Sequence, residues 1–127
     1  KFINNSNVKF HRPLEGFKLQ KLISRFDVFI IPYIEMFTQK VTVPSKLFQY
    51  IACGRPVVTS DMKDLIKLPT KFIYNSKNQK QFIKNIYQSR KDDNEELFFQ
   101  RIKYAENLKW DSIGENLNKI LINDMEL

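Results

Sequence analysis

The sequence has few of the residues that build metal centres and covalent cross-links. It contains one cysteine and one histidine, which excludes a disulfide framework and a four-ligand Cys/His zinc site. Glycine (3 residues) and proline (5 residues) are scarce, so collagen-like and linker-like chains are excluded too. No apolar run approaches the roughly 20 residues that a membrane-spanning helix needs, and no basic segment followed by an apolar stretch marks a secretion signal. We therefore expect a soluble, cytoplasmic globular protein.

Basic residues outnumber acidic ones, but the two kinds are unevenly distributed along the chain. The 21 lysines and arginines and 14 aspartates and glutamates give a formal net charge of +7. Residues 1–91 contain 17 basic and 5 acidic residues, and residues 92–127 contain 4 basic and 9 acidic ones. Any function that depends on positive charge is therefore expected in the first part of the chain.

The segment Asn75–Lys91 is basic and contains no acidic residue. Its spacing favours a solvated helix face, with Lys77, Lys80 and Lys84, opposite a buried face with Phe82, Ile83, Ile86 and Tyr87. A basic face that meets an anionic membrane or ligand is the alternative. A nucleic-acid interface would interleave basic and aromatic residues on one surface. Here the lysines and the aromatic residues fall on opposite faces of the predicted helix, so we expect no nucleic-acid partner.

Strand and helix patterns alternate along the chain, and 11 Phe and 5 Tyr supply core material. The nearly continuous apolar run Phe26–Pro32 is typical of a strand buried on both faces of a parallel sheet. Gly54 is suited to end a helix by adopting a left-handed conformation. We predict one α/β domain over residues 1–127, with a parallel sheet and flanking helices. The predicted strands are 7–10, 26–32, 56–60 and 72–74; the predicted helices are 14–25, 45–53, 78–90, 93–108 and 111–122, with a helical turn over 61–68.

The start of the predicted helix 45–53 is the candidate binding site. In open parallel sheets, ligands bind outside the carboxyl ends of the strands, where the loop after Ile31 and the loop-to-helix junction near Pro44 are expected to lie. Ser45 can cap this helix, whose amides favour an anion. Lys46 opposes the helix dipole unless an anion binds beside it. Gln49, one turn deeper on the same face, can bond the hydroxyls of a ligand. An ordinary capped helix without a ligand is the other interpretation.

Four segments together resemble a known family. Residues 44–58 read Pro-Ser-Lys-Leu-Phe-Gln-Tyr-Ile-Ala-Cys-Gly-Arg-Pro-Val-Val. They resemble the Pro-x-Lys-Leu-Phe-Glu-Tyr-x-Ala-x-Gly-x-Pro-Val-Val signature of the donor-binding, C-terminal domain of GT-B-fold glycosyltransferases, especially the retaining family 4. Residues 7–10 and 26–32 are similar to the Asn-Val-x-Phe and Ala-Asp-Val-x-Leu-x-Pro strands of that family. Lys-Trp-Asp at 109–111 is similar to its terminal Ser-Trp helix. Nearly the whole chain is covered in the right order.

The resemblance implies a Rossmann-like sheet with a site for a nucleoside-diphosphate-sugar donor, whose sugar is transferred to a glycan or lipid-linked acceptor. The amides around Ser45, with Lys46, would bind the diphosphate, and position 49 would bind the ribose. The loop from Tyr33 to Val43 would cover the sugar. Such enzymes use no bound metal or other cofactor, because helix amides and cations neutralise the leaving diphosphate. The implied donor-binding residues are Tyr33, Glu35, Pro44, Ser45, Lys46 and Gln49; no residue is assigned a catalytic role.

The sequence departs from the family pattern in three ways. Gln49 replaces the usual Glu, and an amide has one acceptor oxygen where a carboxylate has two, so weaker donor binding is expected. The family pattern has a second Glu eight residues before the position of Gln49, and this position is Val41 here. Glu35 lies nearby, but its distance from Gln49 along the sequence does not match the pattern. The two first strands of the family domain and its N-terminal acceptor domain are not recognisable, so the 127 residues alone are expected to be inactive.

The unrecognised strands have a structural consequence. In the family they separate the strand that matches residues 7–10 from the one that matches 28–31. Because a parallel sheet cannot leave such a gap, we predict a sheet formed by residues 27–32, 56–60 and 72–74. Residues 1–13 are then expected to fray, to pair irregularly, or to join another chain at the open edge of 27–32, which favours a dimer.

Two other functions remain open. A GT-B-fold nucleotide-sugar epimerase would share the site but would transfer no sugar to an acceptor. A non-enzymatic α/β interaction module would use the basic face at 77–91 instead. For a transferase with a lipid-linked acceptor, peripheral contact with the inner face of the plasma membrane is expected.

Overall fold

The structure is a computed structural model that describes residues 6–33, 44–62, 68–69 and 71–125. Most of the predicted turn over 61–68 therefore lies outside the described residues. The helices agree with the predicted ones to within a few residues at each end. In chain order the described elements are α1 (Gly16–Ile23), β1 (Phe29–Ile31), α2 (Ser45–Ala52), β2 (Val57–Ser60), β3 (Ile73–Ser76), α3 (Gln79–Asp92), α4 (Glu95–Glu106) and α5 (Trp110–Met125).

The three described strands form one parallel sheet in the order β1-β2-β3. Phe29 of β1 lies opposite Val57 of β2, which lies opposite Ile73 of β3. Each pair of parallel neighbours is joined by a segment that crosses from one end of the sheet to the other, as parallel pairing requires. The predicted α/β architecture and its parallel sheet are confirmed.

The hydrophobic core lies on one face of this sheet, under α2 and α4. Leu47 and Ile51 are four residues apart in α2 and both are fully buried. The ring of Tyr50 stacks on Phe29 of β1, with ring centroids 4.2 Å apart. Burying a leucine or isoleucine side chain stabilises a fold by about 1.5–3 kcal/mol. The burial of Leu47 and Ile51 therefore fixes which face of α2 is turned outward. The buried cluster consists of Phe29, Ile31, Leu47, Ile51, Val57, Met62, Phe72, Ile73 and Leu97.

Helix α3 covers the opposite face of the sheet at β2 and β3. Val58 is fully buried on this face, whereas Ile30, its register partner in β1, is 49% exposed. The prediction that this strand is buried on both faces is wrong, because Ile30 is exposed between the buried Phe29 and Ile31. The prediction of a buried apolar face for α3 is right only in part: Phe82 and Ile86 are half-buried, but Ile83 and Tyr87 are exposed.

Residues 7–10 do not form the predicted strand. Residues 6–7 lie in a turn, residues 8–10 have no regular secondary structure, and Phe10 is 67% exposed. A strand exists only where its amides and carbonyls pair with a neighbour, and none of the described strands pairs with this segment. The expectation that the three later strands form the sheet without it is confirmed.

A phenol–carboxylate hydrogen bond joins β3 to α3. The Tyr74 hydroxyl donates to Asp92 Oδ2 at 3.0 Å, and Gln88 Nε2 donates to the other carboxylate oxygen at 2.7 Å. Burial, followed by the bond to the negatively charged Asp92, raises the pKa of Tyr74 from 10.0 to about 12. Folding therefore favours the neutral phenol.

We expect the stability of the fold to fall in alkaline solution because of Tyr74. A pKa raised by folding contributes stability that is complete below pH 10.0 and is lost as the pH rises through about 12. Urea unfolding at pH values across this window should show a smaller fall in Tyr74→Phe than in the parent. Tyr87→Phe, at an exposed tyrosine of α3, is the matched control and should keep the parent's fall. Identical falls in the parent and Tyr74→Phe would contradict this account.

Candidate functional site at the carboxyl ends of the strands

Helix α2 begins directly after Pro44, which is its N-cap residue. The Leu47 amide donates to the Pro44 carbonyl at 2.9 Å, and no side chain caps the helix. The prediction that Ser45 caps the helix is wrong: the extended Pro44 (φ −68°, ψ 135°) occupies the cap position and Ser45 is the first helical residue. The amides of Ser45 and Lys46 therefore have no partners within the helix and point out of its end.

Lys46 and Gln49 lie on the exposed side of α2 together with Ser45. All three side chains are exposed, whereas Leu47 and Ile51 face the core. No acidic residue lies in the first turn of this helix, so no carboxylate within that turn offsets the Lys46 charge. This end of α2 offers amide donors, a cation and a carboxamide, which together suit an anion that carries hydroxyl groups.

The other end of α2 is fastened to α4 through a buried arginine. Gly54 ends the helix with φ +74°, as the sequence predicted. The Arg101 guanidinium is fully buried and donates to the carbonyls of Gly54 at 3.1 Å and Lys71 at 2.9 Å. Asp93 accepts from Arg101 and, at 3.0 Å, from Arg55. These contacts hold α2 at both its core face and its C-terminal end.

Tyr33 is held at the end of β1. Its amide donates to Ser60 Oγ at 2.7 Å, and the Ser60 hydroxyl donates to the Tyr33 carbonyl at 2.9 Å. This exchange ties the chain just after β1 to the last residue of β2. Tyr33 lines a cavity of about 310 Å³ at the carboxyl ends of all three strands. Other lining residues include Asp61, Lys77, Asn78, Gln79 and Phe82.

The structure brings four of the six predicted donor-binding residues together and separates a fifth. Pro44, Ser45, Lys46 and Gln49 all lie in the first turns of α2. Tyr33 belongs to the cavity wall, and these four residues are not part of that lining. Glu35, with most of the loop predicted to cover the sugar, lies outside the described residues.

Apart from Tyr33, the residues that line the cavity were not among the predicted donor-binding residues, although a signal was present in the sequence. Asp61 directly follows β2, and Lys77 directly follows β3. The rule that ligands bind at the carboxyl ends of parallel strands drew attention to the segment after β1. It applies equally to the segments after β2 and β3.

Neither a metal centre nor a membrane span is formed by the part of the chain that the structure describes. Within residues 6–33, 44–62, 68–69 and 71–125, no group of three or more His, Cys, Asp or Glu residues is placed to hold a metal ion. No helix in the same ranges is long and apolar enough to cross a membrane.

A family model described as Glycosyl transferases group 1 matches residues 2–94. The chain belongs to this glycosyltransferase family. The matched region contains the whole sheet, the start of α2 and the lining residues of the cavity. No curated protein and no solved structure gives a match.

Membership of a glycosyltransferase family supports glycosyl transfer as the function. The parallel sheet with flanking helices is the arrangement expected for such a domain. No observation supports either of the alternatives, a nucleotide-sugar epimerase or an interaction module that uses the basic face of α3.

Proposed function

We propose that this glycosyltransferase chain binds the nucleoside-diphosphate-sugar donor and forms most of the C-terminal domain of a GT-B-fold, family 4-like enzyme. The whole protein transfers the sugar to a glycan or lipid-linked acceptor that an N-terminal domain holds. One observation carries the proposal: the start of α2, inside the family-matched region, presents free helix-end amides, Lys46 and Gln49 on one exposed side.

The first turn of α2 is suited to the diphosphate. Negative charge develops on this group as the bond to the sugar breaks, and donors that are already in position stabilise it most effectively. The amides of Ser45 and Lys46 supply two such donors at the positive end of the helix dipole. The Lys46 ammonium adds a full positive charge. Because Leu47 anchors the same turn in the core, these donors need little rearrangement, and the proposal requires no bound metal.

Gln49 is suited to the ribose of the donor. It lies one turn further along the exposed side of α2 than Ser45. Its carboxamide accepts from one hydroxyl and donates to another, whereas the Glu of the resembled signature would accept from both. The proposal therefore includes ribose recognition by Gln49, with weaker binding than a carboxylate would give.

Lys46→Ala is expected to weaken the binding of UDP or GDP by about tenfold or less. That effect corresponds to one partly exposed, charge-assisted hydrogen bond of about 1–1.5 kcal/mol. Calorimetric titration of the full chain measures it directly. Lys84→Ala removes an exposed lysine of α3 outside the site and should leave the affinity unchanged. Equal affinities of Lys46→Ala and the parent would remove Lys46 from the donor site.

Substitutions at Gln49 are expected to act in opposite directions. Gln49→Glu should keep or tighten nucleotide binding, because it restores two acceptors for the ribose hydroxyls. Gln49→Leu, which keeps a similar size but has no polar atom, should weaken binding by about tenfold. Pyrophosphate, which has neither a base nor a ribose, is the control ligand in the same titration and should not distinguish Gln49→Leu from the parent. If Gln49→Leu binds UDP as well as the parent does, the ribose assignment is wrong.

A further inference from the structure

Helix α3 packs on the sheet partly through polar side chains. Ser89 is fully buried. Asn85 Nδ2 donates to Ser76 Oγ at 2.9 Å, and the hydrogen bond between Tyr74 and Asp92 fastens the last turn of the helix to β3. A hydrogen bond is strong only with the right partner in the right direction. These contacts therefore fix which side of α3 is turned toward solvent.

The solvent side of α3 combines cations with apolar side chains. Lys80, Ile83, Lys84, Tyr87 and Lys91 follow one another at spacings of three or four residues, so they share one side of the helix. All five are exposed, Tyr87 to 74% and Ile83 to 49%. We call these five residues the outer stripe. The sequence pattern placed Ile83 and Tyr87 on the buried face, but the structure places them among the lysines.

The positive charge of the outer stripe is not offset within α3. Residues 79–91 contain no acidic residue, and Asp92 is turned toward β3. Among the described residues the three lysines of the stripe form no ion pair, whereas Arg90 lies 3.7 Å from Asp27. Glu95 and Glu96 belong to α4, which packs on the other face of the sheet. The stripe therefore attracts an anionic partner.

A lipid bilayer fits the composition of the outer stripe better than a protein or a nucleic acid does. Lysine is depleted at protein–protein interfaces. Single-stranded nucleic acids stack successive bases on several aromatic rings, and the stripe contains one ring, that of Tyr87. An anionic bilayer attracts lysines, whose long stems lie along apolar surface. It also takes a tyrosine at the level of the headgroups and an aliphatic side chain slightly deeper.

We propose that the outer stripe docks this glycosyltransferase on an anionic lipid bilayer, with its lysines at the lipid phosphates and Ile83 and Tyr87 inserted between the headgroups. The proposal goes beyond the proposed function and does not depend on nucleotide binding. Helix α2 packs on the opposite face of the sheet, so docking through α3 leaves the start of α2 uncovered. The stripe is an added surface of the enzyme and does not replace glycosyl transfer.

Cosedimentation of the full chain with vesicles tests the proposal. Vesicles of phosphatidylglycerol and phosphatidylcholine in equal amounts should bind the chain, and vesicles of phosphatidylcholine alone should not. Lys80→Ala and Lys91→Ala should each weaken binding by about fivefold, the contribution of one lysine near an anionic surface. Lys103→Ala removes the same charge from an exposed position of α4 and should have little effect.

Tyr87→Ser tests the apolar part of the outer stripe, because it leaves the net charge unchanged. It should weaken vesicle binding by about threefold or more. Phe99→Ser is the matched control, since Phe99 is an exposed aromatic residue of α4. It should bind vesicles as the parent does. All the substituted side chains are exposed, so the far-ultraviolet circular dichroism of every variant should match that of the parent.

Four results would overturn the proposal. The first is that anionic vesicles do not bind the parent. The second is that Lys103→Ala weakens binding as much as Lys91→Ala, which would indicate attraction by net charge alone. The third is that Tyr87→Ser binds as the parent does, and the fourth is that single-stranded oligouridylate binds more tightly than the anionic vesicles. Failure of UDP to bind at residues 45–49 would affect only the proposed function.

Discussion

Arg101→Met is expected to lower the free energy of unfolding by about 3–5 kcal/mol, the typical cost of removing one partner from a buried ion pair. Arg101 is fully buried, and its guanidinium satisfies the carbonyls of Gly54 and Lys71 as well as the Asp93 carboxylate. Methionine keeps most of the packing volume but leaves the two carbonyls without this donor. It also leaves Asp93, whose side chain is only 12% exposed, with Arg55 as its remaining ion-pair partner among the described residues.

Urea unfolding followed by circular dichroism measures the effect of Arg101→Met. Lys103→Met removes an exposed cation from the same helix and should change stability by no more than about 0.5 kcal/mol. Adding Asp93→Asn to Arg101→Met should cost less than the sum of the two single substitutions, because an amide tolerates the loss of the guanidinium better than a carboxylate does. Equal unfolding midpoints of Arg101→Met and Lys103→Met would rule out a structural role for this network.

Gly54→Ala is expected to lower the free energy of unfolding by about 2–5 kcal/mol, for two separate reasons. Gly54 has φ +74°, and a side chain in the left-handed region costs about 1–2 kcal/mol. A Cβ atom would also overlap the Phe98 ring of α4, and overpacking of this kind costs about 1–3 kcal/mol. The substitution therefore strains the turn that sets α2 against α4.

Gly16→Ala separates the two contributions to the Gly54→Ala effect. Gly16 also has a positive φ, +54°, but nothing lies within 4 Å of the Cβ position there. Gly16→Ala should therefore lower the free energy of unfolding by the backbone cost alone. The double substitution Gly54→Ala with Phe98→Ala should recover the packing part of the loss relative to Phe98→Ala. If Gly54→Ala destabilises the chain no more than Gly16→Ala does, close packing of Gly54 against Phe98 is disproved.

The sheet and the end of α2 could be predicted because their signals are local. The unbroken apolar run before Pro32 indicated a strand of a parallel sheet, and Gly54 is the residue type that a left-handed helix end requires. The strand predicted at 7–10 was wrong because β-propensity does not reveal whether a partner strand is available. The exposure of Ile30 was missed for a related reason, since it depends on which helix covers the edge of the sheet.

The arginine network could not be predicted because it joins distant segments, whereas the cavity lies where the rule for the carboxyl ends of parallel strands applies. A lone arginine in an amphipathic helix is ordinarily a surface residue, and Arg101 is buried only because its partners at 54, 71 and 93 surround it. The cavity combines residues near 33, 61 and 77–82. At the candidate donor site, the sequence identified the exposed Lys46 and Gln49. It assigned the cap to Ser45, although the backbone conformation makes Pro44 the cap residue.

The start of α2 is the proposed binding site for the nucleoside diphosphate of the donor. An NMR titration of the ¹⁵N-labelled full chain with UDP and GDP tests it most directly, because it locates the ligand residue by residue. At millimolar nucleotide we expect the largest shifts at the amides of Ser45, Lys46 and Gln49, and we expect Lys46→Ala to reduce them. Unchanged signals over residues 45–49, or shifts confined to the cavity at Asp61 and Lys77, would contradict it.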